Sequence, residues 1–453
     1  TSGTKTVGLL KNTPQQPVVP SAAPPPASTA PPAPAPNQSP PAKIAAQAVT
    51  VAGLWVLREQ LQSTLPYGGF AWGRLAHTQA DGPFAALVSW LGFAGFSGLL
   101  AALCAAPVAA LFAGWGTLRV PARRRQVMLA TAGGLVVLIG LAWVPTAPLE
   151  ETGTLRVAAV QGNSKSGIFD DRESGDVLRD HLRATEALLD RLEAEGDAVD
   201  VIVWPENSAE FDLPGNRYGG YAVERLAERA GAPIVVGTIL RDPDGTYTNS
   251  TLVFGDAGDT GVRYDKRRPV PFAEYMPDRA FYRSLAPELV DLVQLDYAFG
   301  QRSAVLPIDG AAGEFAAGIA ICFDVIFDDH AEAMVHDGAE IIFAQTNNAD
   351  FGRTDESAQQ LQIARLRAIE TGRALVNIST VGTSAVVAPD GSDLDRLDTF
   401  TADAMVTDVP LVAGLTPALR WGAWIAAGWM LIGASGAIAV FAARYVRRSA
   451  SSG

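Results

Sequence analysis

Apolar and polar positions divide the chain into two kinds of segment. In the first kind, apolar residues run on with no charge between them, as in residues 127–144 (VMLATAGGLVVLIGLAWV) and 421–443 (WGAWIAAGWMLIGASGAIAVFAA). Each approaches or exceeds the ~20 residues needed to cross the hydrocarbon layer, so both predict membrane spans. A third uncharged stretch, residues 82–118, is too long for one perpendicular helix and contains Pro107. It predicts one tilted or kinked span with an interfacial lead-in. Residues 44–57 are a weaker fourth case, either a span ending at Arg58 and Glu59 or an interfacial helix, with a buried core helix as the competing reading.

The second kind of segment alternates. Residues 155–163 (LRVAAVQGN), 199–207 (VDVIVWPEN), 232–240 (APIVVGTIL) and 247–255 (YTNSTLVFG) are apolar or β-rich runs bounded by turn residues, and predict strands. Leucines 178, 182, 188, 189 and 192 recur at helical spacing up to Gly196. Later come a strand at 315–323 (FAAGIAICF), a helix from Asp329 onward, a strand at 339–347, a helix over 357–371, and strands at 374–380, 383–391 and 404–411. This order predicts a layered α/β domain whose near-continuous apolar strands are covered on both faces.

Composition adds a membrane and an orientation. The chain is 48% hydrophobic, and eight of its nine tryptophans (55, 72, 90, 115, 143, 421, 424 and 429) lie in or beside the apolar runs, as interfacial anchors do. Arg119, Arg123, Arg124 and Arg125 form one basic cluster, and Arg444, Arg447 and Arg448 another. Basic loops face the cytoplasm, so both termini are expected inside and everything between the last two spans outside. All but two of the 48 acidic residues and 22 of the 35 basic ones lie in residues 150–412, a net charge of −24 that repels nucleic acid. The expected organisation is a disordered Pro/Ala-rich tail (1–42), three or four transmembrane helices (43–145), an extracytoplasmic α/β domain (146–412), and a C-terminal span with a basic tail (413–453). The chain begins with Thr1 rather than Met, and an upstream portion is expected.

Three residues at strand ends carry candidate chemistry: Glu206 after VIVWP, Lys266 in RYDKRRPVPFAEYMP, and Cys322 after GIAI. Singly, each has an ordinary explanation as a turn acid, a surface base and a small buried hydrophobe. A disulfide is disfavoured, because the one other cysteine, Cys104, falls in a predicted span. The histidines (77, 181, 330 and 336) make no ligand cluster, and no metal or other cofactor is expected. Taken together, WPE, then DKxxxVPFxE, then a strand-borne ICF resemble the carbon–nitrogen hydrolase (nitrilase) superfamily. More narrowly, the chain resembles the apolipoprotein N-acyltransferases. It is similar to them in its spans before and after the domain, in VQGN, in RRPVPFAE, in QIARLRAIETGRALV and in GLTP before the last span.

The resemblance implies a nitrilase-like α-β-β-α sandwich inserted between transmembrane helices, with a Glu206-Lys266-Cys322 triad. Glu206 would take the thiol proton, because a cysteine attacks as thiolate and its ordinary pKa is near 8.5. Lys266 and the backbone N–H of Phe323 would hold the oxyanion, and Glu274 would support Lys266. The reaction implied is acyl transfer from a glycerophospholipid, through a Cys322 thioester, to the N-terminal amine of a diacylglyceryl-cysteine on an apolipoprotein. Arg267, Arg268, Asp324 and Asn347 are candidate substrate contacts, and the aromatic segments 67–72 and 272–285 candidate walls of a lipid entrance. The chain departs from the family at Phe323-Asp324, where a Tyr-Glu pair is usual, and in TNNADFG, where Asp350 replaces an aromatic. Two other readings stay open: a membrane-tethered amidase that passes the acyl group to water, and a degenerate domain serving as a scaffold or binding module.

Overall fold

A computed structural model describes residues 41–114, 121–167 and 173–451. The Pro/Ala tract through residue 40, Trp115 and Arg119 lie outside the described residues, as do the side chains of Arg123, Arg124, Arg125 and Arg447.

Among the described residues, twelve strands form two mixed sheets. β1 (Glu150–Gln161), β2 (Val201–Val203), β3 (Ile234–Arg241), β4 (Tyr247–Gly255) and β5 (Gly258–Asp265) belong to the first; β6 (Val305–Gly310), β7 (Gly313–Ile321), β8 (Ile341–Thr346), β9 (Leu375–Ser379), β10 (Ala385–Val387) and β11 (Asp393–Arg396) make the second; β12 (Asp403–Ala413) returns to the first. The orders are β12-β1-β2-β3-β4-β5 and β11-β10-β9-β8-β7-β6. Helices are α1 (Pro41–Gln62), α2 (Val88–Gly114), α3 (Pro121–Ala142), α4 (Asp176–Glu195), α5 (Arg217–Ala230), the short α6 (Arg279–Leu285) and α7 (Pro287–Val290), α8 (Asp328–His336), α9 (Glu356–Thr371) and α10 (Pro417–Ser451).

Period-two alternation sets the layers. Leu155, Val157 and Ala159 of β1 pack in the core between the sheets, with Val201, Val203, Ile319, Ile321 and Phe343. Their neighbours Ala158 and Val160 face the other way, onto Leu178, Leu188, Leu189 and Leu192 of α4 and Val223 and Leu226 of α5. On the second sheet, Ile342 and Ala344 meet Leu361 and Ala364 of α9 and Met334 of α8. The result is the expected α-β-β-α sandwich. β5, β6 and β11, which the apolar pattern did not single out, are the outermost strands of their sheets. Edge strands need no second apolar face, so DLDR and the Pro307-containing VLPIDG are tolerated there.

The apolar helices depart from expectation in two ways. α1 runs through Arg58 and Glu59 to Gln62. Glu59 is buried inside the fold, where its Oε1 accepts from Trp55 Nε1 (2.8 Å) and from the Leu75 backbone N–H (2.8 Å), so the acid anchors the following loop instead of ending the helix. In α2 the break falls at Gly92 (φ 67°, ψ 173°), not at Pro107, which stays within the helix. Among the described residues, two helices are long and apolar enough to cross a bilayer, Ala85–Phe112 and Pro417–Val446, and α3 contributes the shorter apolar segment Ala132–Ala142.

α1 and α10 touch through glycine. A Cβ on Gly53 would lie 2.3 Å from the Trp429 carbonyl oxygen, and one on Gly433 2.3 Å from the Gly53 carbonyl carbon. Such close backbone approach is how helices associate where water supplies no driving force. Gly433→Val is expected to force α10 off α1 and destabilise the protein by about 1–3 kcal/mol, seen as a lower unfolding temperature in detergent. Gly428→Val, on the same helix but with no atom within 4 Å of its added Cβ, serves as the control and should leave that temperature unchanged.

Candidate active site

β7 ends at Ile321, and Cys322 opens a tight turn, Cys322–Ile326, with φ +48°. A non-glycine residue pays for the left-handed region in steric strain and stays there only if its surroundings hold it. Three bonds to the Asp324 carboxylate do so. Tyr264 Oη and the Ile321 N–H donate to Oδ2 (2.7 and 3.3 Å), and the Arg268 N–H donates to Oδ1 (3.0 Å). From below, Arg367 donates from Nε to the Val325 carbonyl (2.9 Å) and from Nη2 to the Ile326 carbonyl (2.8 Å).

A buried charge cluster forms at the ends of three first-sheet elements. Lys266 directly follows β5, and its backbone is pinned by its N–H on the Asn249 carbonyl (2.8 Å) and its carbonyl under the Gly300 N–H (2.9 Å). Its Nζ donates to Glu206 Oε1 (2.8 Å) and lies 2.9 Å from Glu274 Oε2. Asn249 Nδ2 bridges the same two carboxylates, to Glu206 Oε1 (2.7 Å) and Glu274 Oε1 (2.8 Å). The Val270 N–H, donating to Glu274 Oε2 (2.7 Å), holds the proline-rich loop in place.

The electrostatics follow from this geometry. Burial works against the Lys266 ammonium, but Glu206, Glu274 and the sulfur of Cys322 overcome it and hold its pKa well above the ordinary value. Burial raises the Glu206 pKa against the pull of Lys266. The Cys322 thiol is pushed up to about 12, first by burial and then by the Glu206 charge, with Lys266 and Gln360 acting the other way. Cys322 therefore rests as a thiol within the field of both a carboxylate and an ammonium. Both cysteines are free.

The remaining expected residues are distributed around this centre. Phe323 is buried, edge-on to Phe327 (5.0 Å) and beside Phe70 (5.9 Å), so the 67–72 segment does lie over the turn. Tyr67 joins the 272–285 segment through ring contacts with Phe272 and Tyr282 and a 2.7 Å bond to Asp278. Asp324 is fully buried with both oxygens engaged inside the protein, and so supports the turn where a substrate contact was expected. Arg268 lies over the Phe327 ring (4.2 Å), pairs with Asp329 and reaches the Gly68 carbonyl (3.4 Å). The Arg267 N–H donates to Tyr264 Oη (3.1 Å). Asn347 Oδ1 accepts from Ser166 Oγ and Thr380 Oγ1, both at 2.9 Å.

The carbon-nitrogen hydrolase family model matches residues 156–414, and that of the apolipoprotein N-acyltransferase N-terminal domain matches residues 38–106. The chain is 32% identical over 395 residues to the apolipoprotein N-acyltransferase of Azotobacter vinelandii, covering 84% of this chain and 71% of that one. The chain belongs to the apolipoprotein N-acyltransferases. The corresponding protein of Mycolicibacterium smegmatis is 34% identical over 289 residues, covering 61% of this chain, which spans about half (47%) of that relative's length.

In this acyltransferase-family chain the Cys322 turn is also tied to the apolar helices, through Arg74 and Asp328 and through Arg367 and Glu370 of the QIARLRAIETGRALV motif. Asp328 accepts a bidentate pair from Arg74 (2.7 and 2.8 Å) and a third bond from Arg367 Nη2 (2.7 Å). Arg367 pairs with Glu370, whose Oε1 accepts from the Phe93 N–H (3.3 Å) at the break in α2. Burial raises Glu370 to about 7 against the pull of Arg367. A cleft of about 310 Å³ opens beside this network, lined by Arg74, Arg268 and Glu370 and by Ala418, Gly422 and Ala426 of α10. Arg367→Met strips the buried Glu370 of its counter-charge, takes one of two from the half-buried Asp328, and is expected to cost about 3–5 kcal/mol, measured by thermal unfolding. Because the Glu206 charge raises the thiol pKa, Glu206→Gln should lower the apparent pKa for iodoacetamide labelling of Cys322 below about 12. An unchanged labelling profile would place the sulfur outside the carboxylate's field.

Proposed function

We propose that the chain transfers a fatty acyl group from a glycerophospholipid to the N-terminal amine of diacylglyceryl-cysteine on an apolipoprotein, with Glu206, Lys266 and Cys322 as the reacting triad. The observation that carries this reading is the buried Glu206–Lys266–Glu274 cluster acting on the sulfur of Cys322. In the first half-reaction Glu206 takes the thiol proton, and the thiolate attacks the ester carbonyl. Lys266 and Asn249 both donate to Oε1 of Glu206, and the proton is assigned to the other oxygen, Oε2. The oxyanion forms against Lys266 Nζ and the Phe323 N–H. Collapse breaks the ester C–O bond, and Glu206 returns its proton to the departing lysophospholipid. In the second half-reaction the acceptor amine attacks the thioester, the C–S bond breaks, and the amine proton passes through Glu206 to the sulfur.

Residues 146–412 are assigned to the extracytoplasmic catalytic domain, between transmembrane segments in 43–145 and 413–453, with both termini cytoplasmic. This placement puts the site at the outer leaflet, where both lipid substrates reside. Arg267 and Arg268 are assigned to the headgroup side of the entrance and Asn347 to the acceptor side. Exposed Phe70, Phe272 and Phe281 would face the acyl chains.

The test is to incubate purified protein with a labelled phospholipid and look by mass spectrometry for an acyl adduct on Cys322. Wild type should form a hydroxylamine-labile adduct that discharges when a diacylglyceryl peptide is added, and Cys322→Ala should form none. Glu206→Gln should slow acylation by roughly 10²- to 10⁴-fold, and Lys266→Met by roughly 10²- to 10³-fold. Discharge to water as fast as to the peptide would make the protein a hydrolase, and no adduct in wild type would remove the enzymatic reading.

A further inference from the structure

We propose that Gln360 is a further catalytic residue, whose side-chain amide donates a hydrogen bond to the sulfur of Cys322 and stabilises the thiolate as it forms. Gln360 lies in the second turn of α9, on the stripe it shares with Ile363, Ala364 and Arg367, all of which are buried. It is itself 1% exposed. Its Nε2 lies 3.4 Å from Cys322 Sγ, within range of an N–H···S bond.

What makes this contact informative is the rest of the amide. Oε1 of Gln360 is buried and has no hydrogen-bond partner among the described residues. A buried carbonyl without a partner is destabilising, and a residue chosen for packing at this place would be leucine or methionine. The sulfur is the one side-chain partner the amide has among the described residues, so the bond to sulfur is not a by-product of another interaction. Neighbouring contacts fix the turn that carries it. Trp72 Nε1 donates to Gln359 Oε1 (2.8 Å), and Thr383 Oγ1 donates to the Ser357 carbonyl (3.0 Å).

In chemical terms, the S–H bond breaks, its proton goes to Glu206, and the growing negative charge on sulfur strengthens the N–H···S bond already in place. The bond is therefore tighter to the thiolate than to the thiol, which is the condition for lowering a barrier. The direction agrees with the geometry, since Gln360 lowers the thiol pKa against burial and Glu206. Lys266 cannot supply this alone, because two carboxylates already engage its ammonium.

This assignment rests on Cys322 being the nucleophile proposed above, and the experiment separates the two. Gln360→Met keeps the length and volume of the side chain and removes the donor. The pH dependence of iodoacetamide labelling at Cys322, which needs no lipid, is compared with the acylation rate and the unfolding temperature. The expected result is a thiol pKa shifted further upward, read as labelling slowed by roughly ten-fold at each pH, and acylation slowed by roughly ten- to a hundred-fold, with the unfolding temperature equal to or above wild type. Gln360→Glu, which faces the sulfur with a carboxylate, should raise the thiol pKa at least as much. A shifted labelling profile upholds the role of Gln360 even if wild type forms no lipid adduct. If both variants label and acylate as wild type does, or if losses only track a lowered unfolding temperature, Gln360 is a packing residue and the proposal falls.

Discussion

The buried Lys266 ammonium is the interaction on which the site depends. An amine taken out of water at this position would lose its proton if it stood alone. Glu206 and Glu274 keep it charged, and it keeps them from repelling one another; Asn249, bridging both carboxylates, fixes their separation. Removing the lysine would leave two carboxylates facing one another in the interior without a counter-charge, and truncating the shared partner of buried ions is far more damaging than their pairing is stabilising. Such a cluster is poor value as a stabilising device. Its effect falls on the sulfur, which experiences a carboxylate raising its pKa and an ammonium lowering it.

A second buried network links this chemistry to the apolar helices. Arg367 donates to the two carbonyls that close the Cys322 turn, shares Asp328 with Arg74, and pairs with Glu370. Glu370 in turn accepts from the buried Phe93 N–H where α2 is broken at Gly92. Both guanidinium groups also lie against the Phe93 ring, Arg367 at 4.1 Å and Arg74 at 5.7 Å. The backbone of an apolar helix and the turn that carries Cys322 are thus two or three charge-assisted hydrogen bonds apart, with no flexible linker between them.

Much of the sandwich was legible in the chain because its central strands are covered on both faces. Runs such as VDVIVWPEN and AEIIFAQTN advertise themselves, whereas β5, β6 and β11 escape because edge strands carry polar residues and proline without penalty. Glu206, Lys266, Glu274 and Cys322 were legible as an ordered set of motifs. Asn249 and Gln360 left only a faint signal. The first is a polar residue in the run YTNST of a strand that is otherwise buried, and the second occupies a core position on a helical stripe. The partnership of Arg74 with Asp328 left none, since the residues are 254 positions apart and each looks like any surface charge.

The sequence by itself determined the alternation of strands and helices in a layered domain and the apolar helices, because these depend on period and length, which are local; the candidate triad was legible only through its ordered motifs. Tertiary structure decided that Asp324 supports the turn from within, that α2 breaks at Gly92 instead of Pro107, and that Glu59 lies inside a helix. Those outcomes turn on which atoms meet after the chain has closed on itself, and the desolvation that makes each contact strong or costly exists only there.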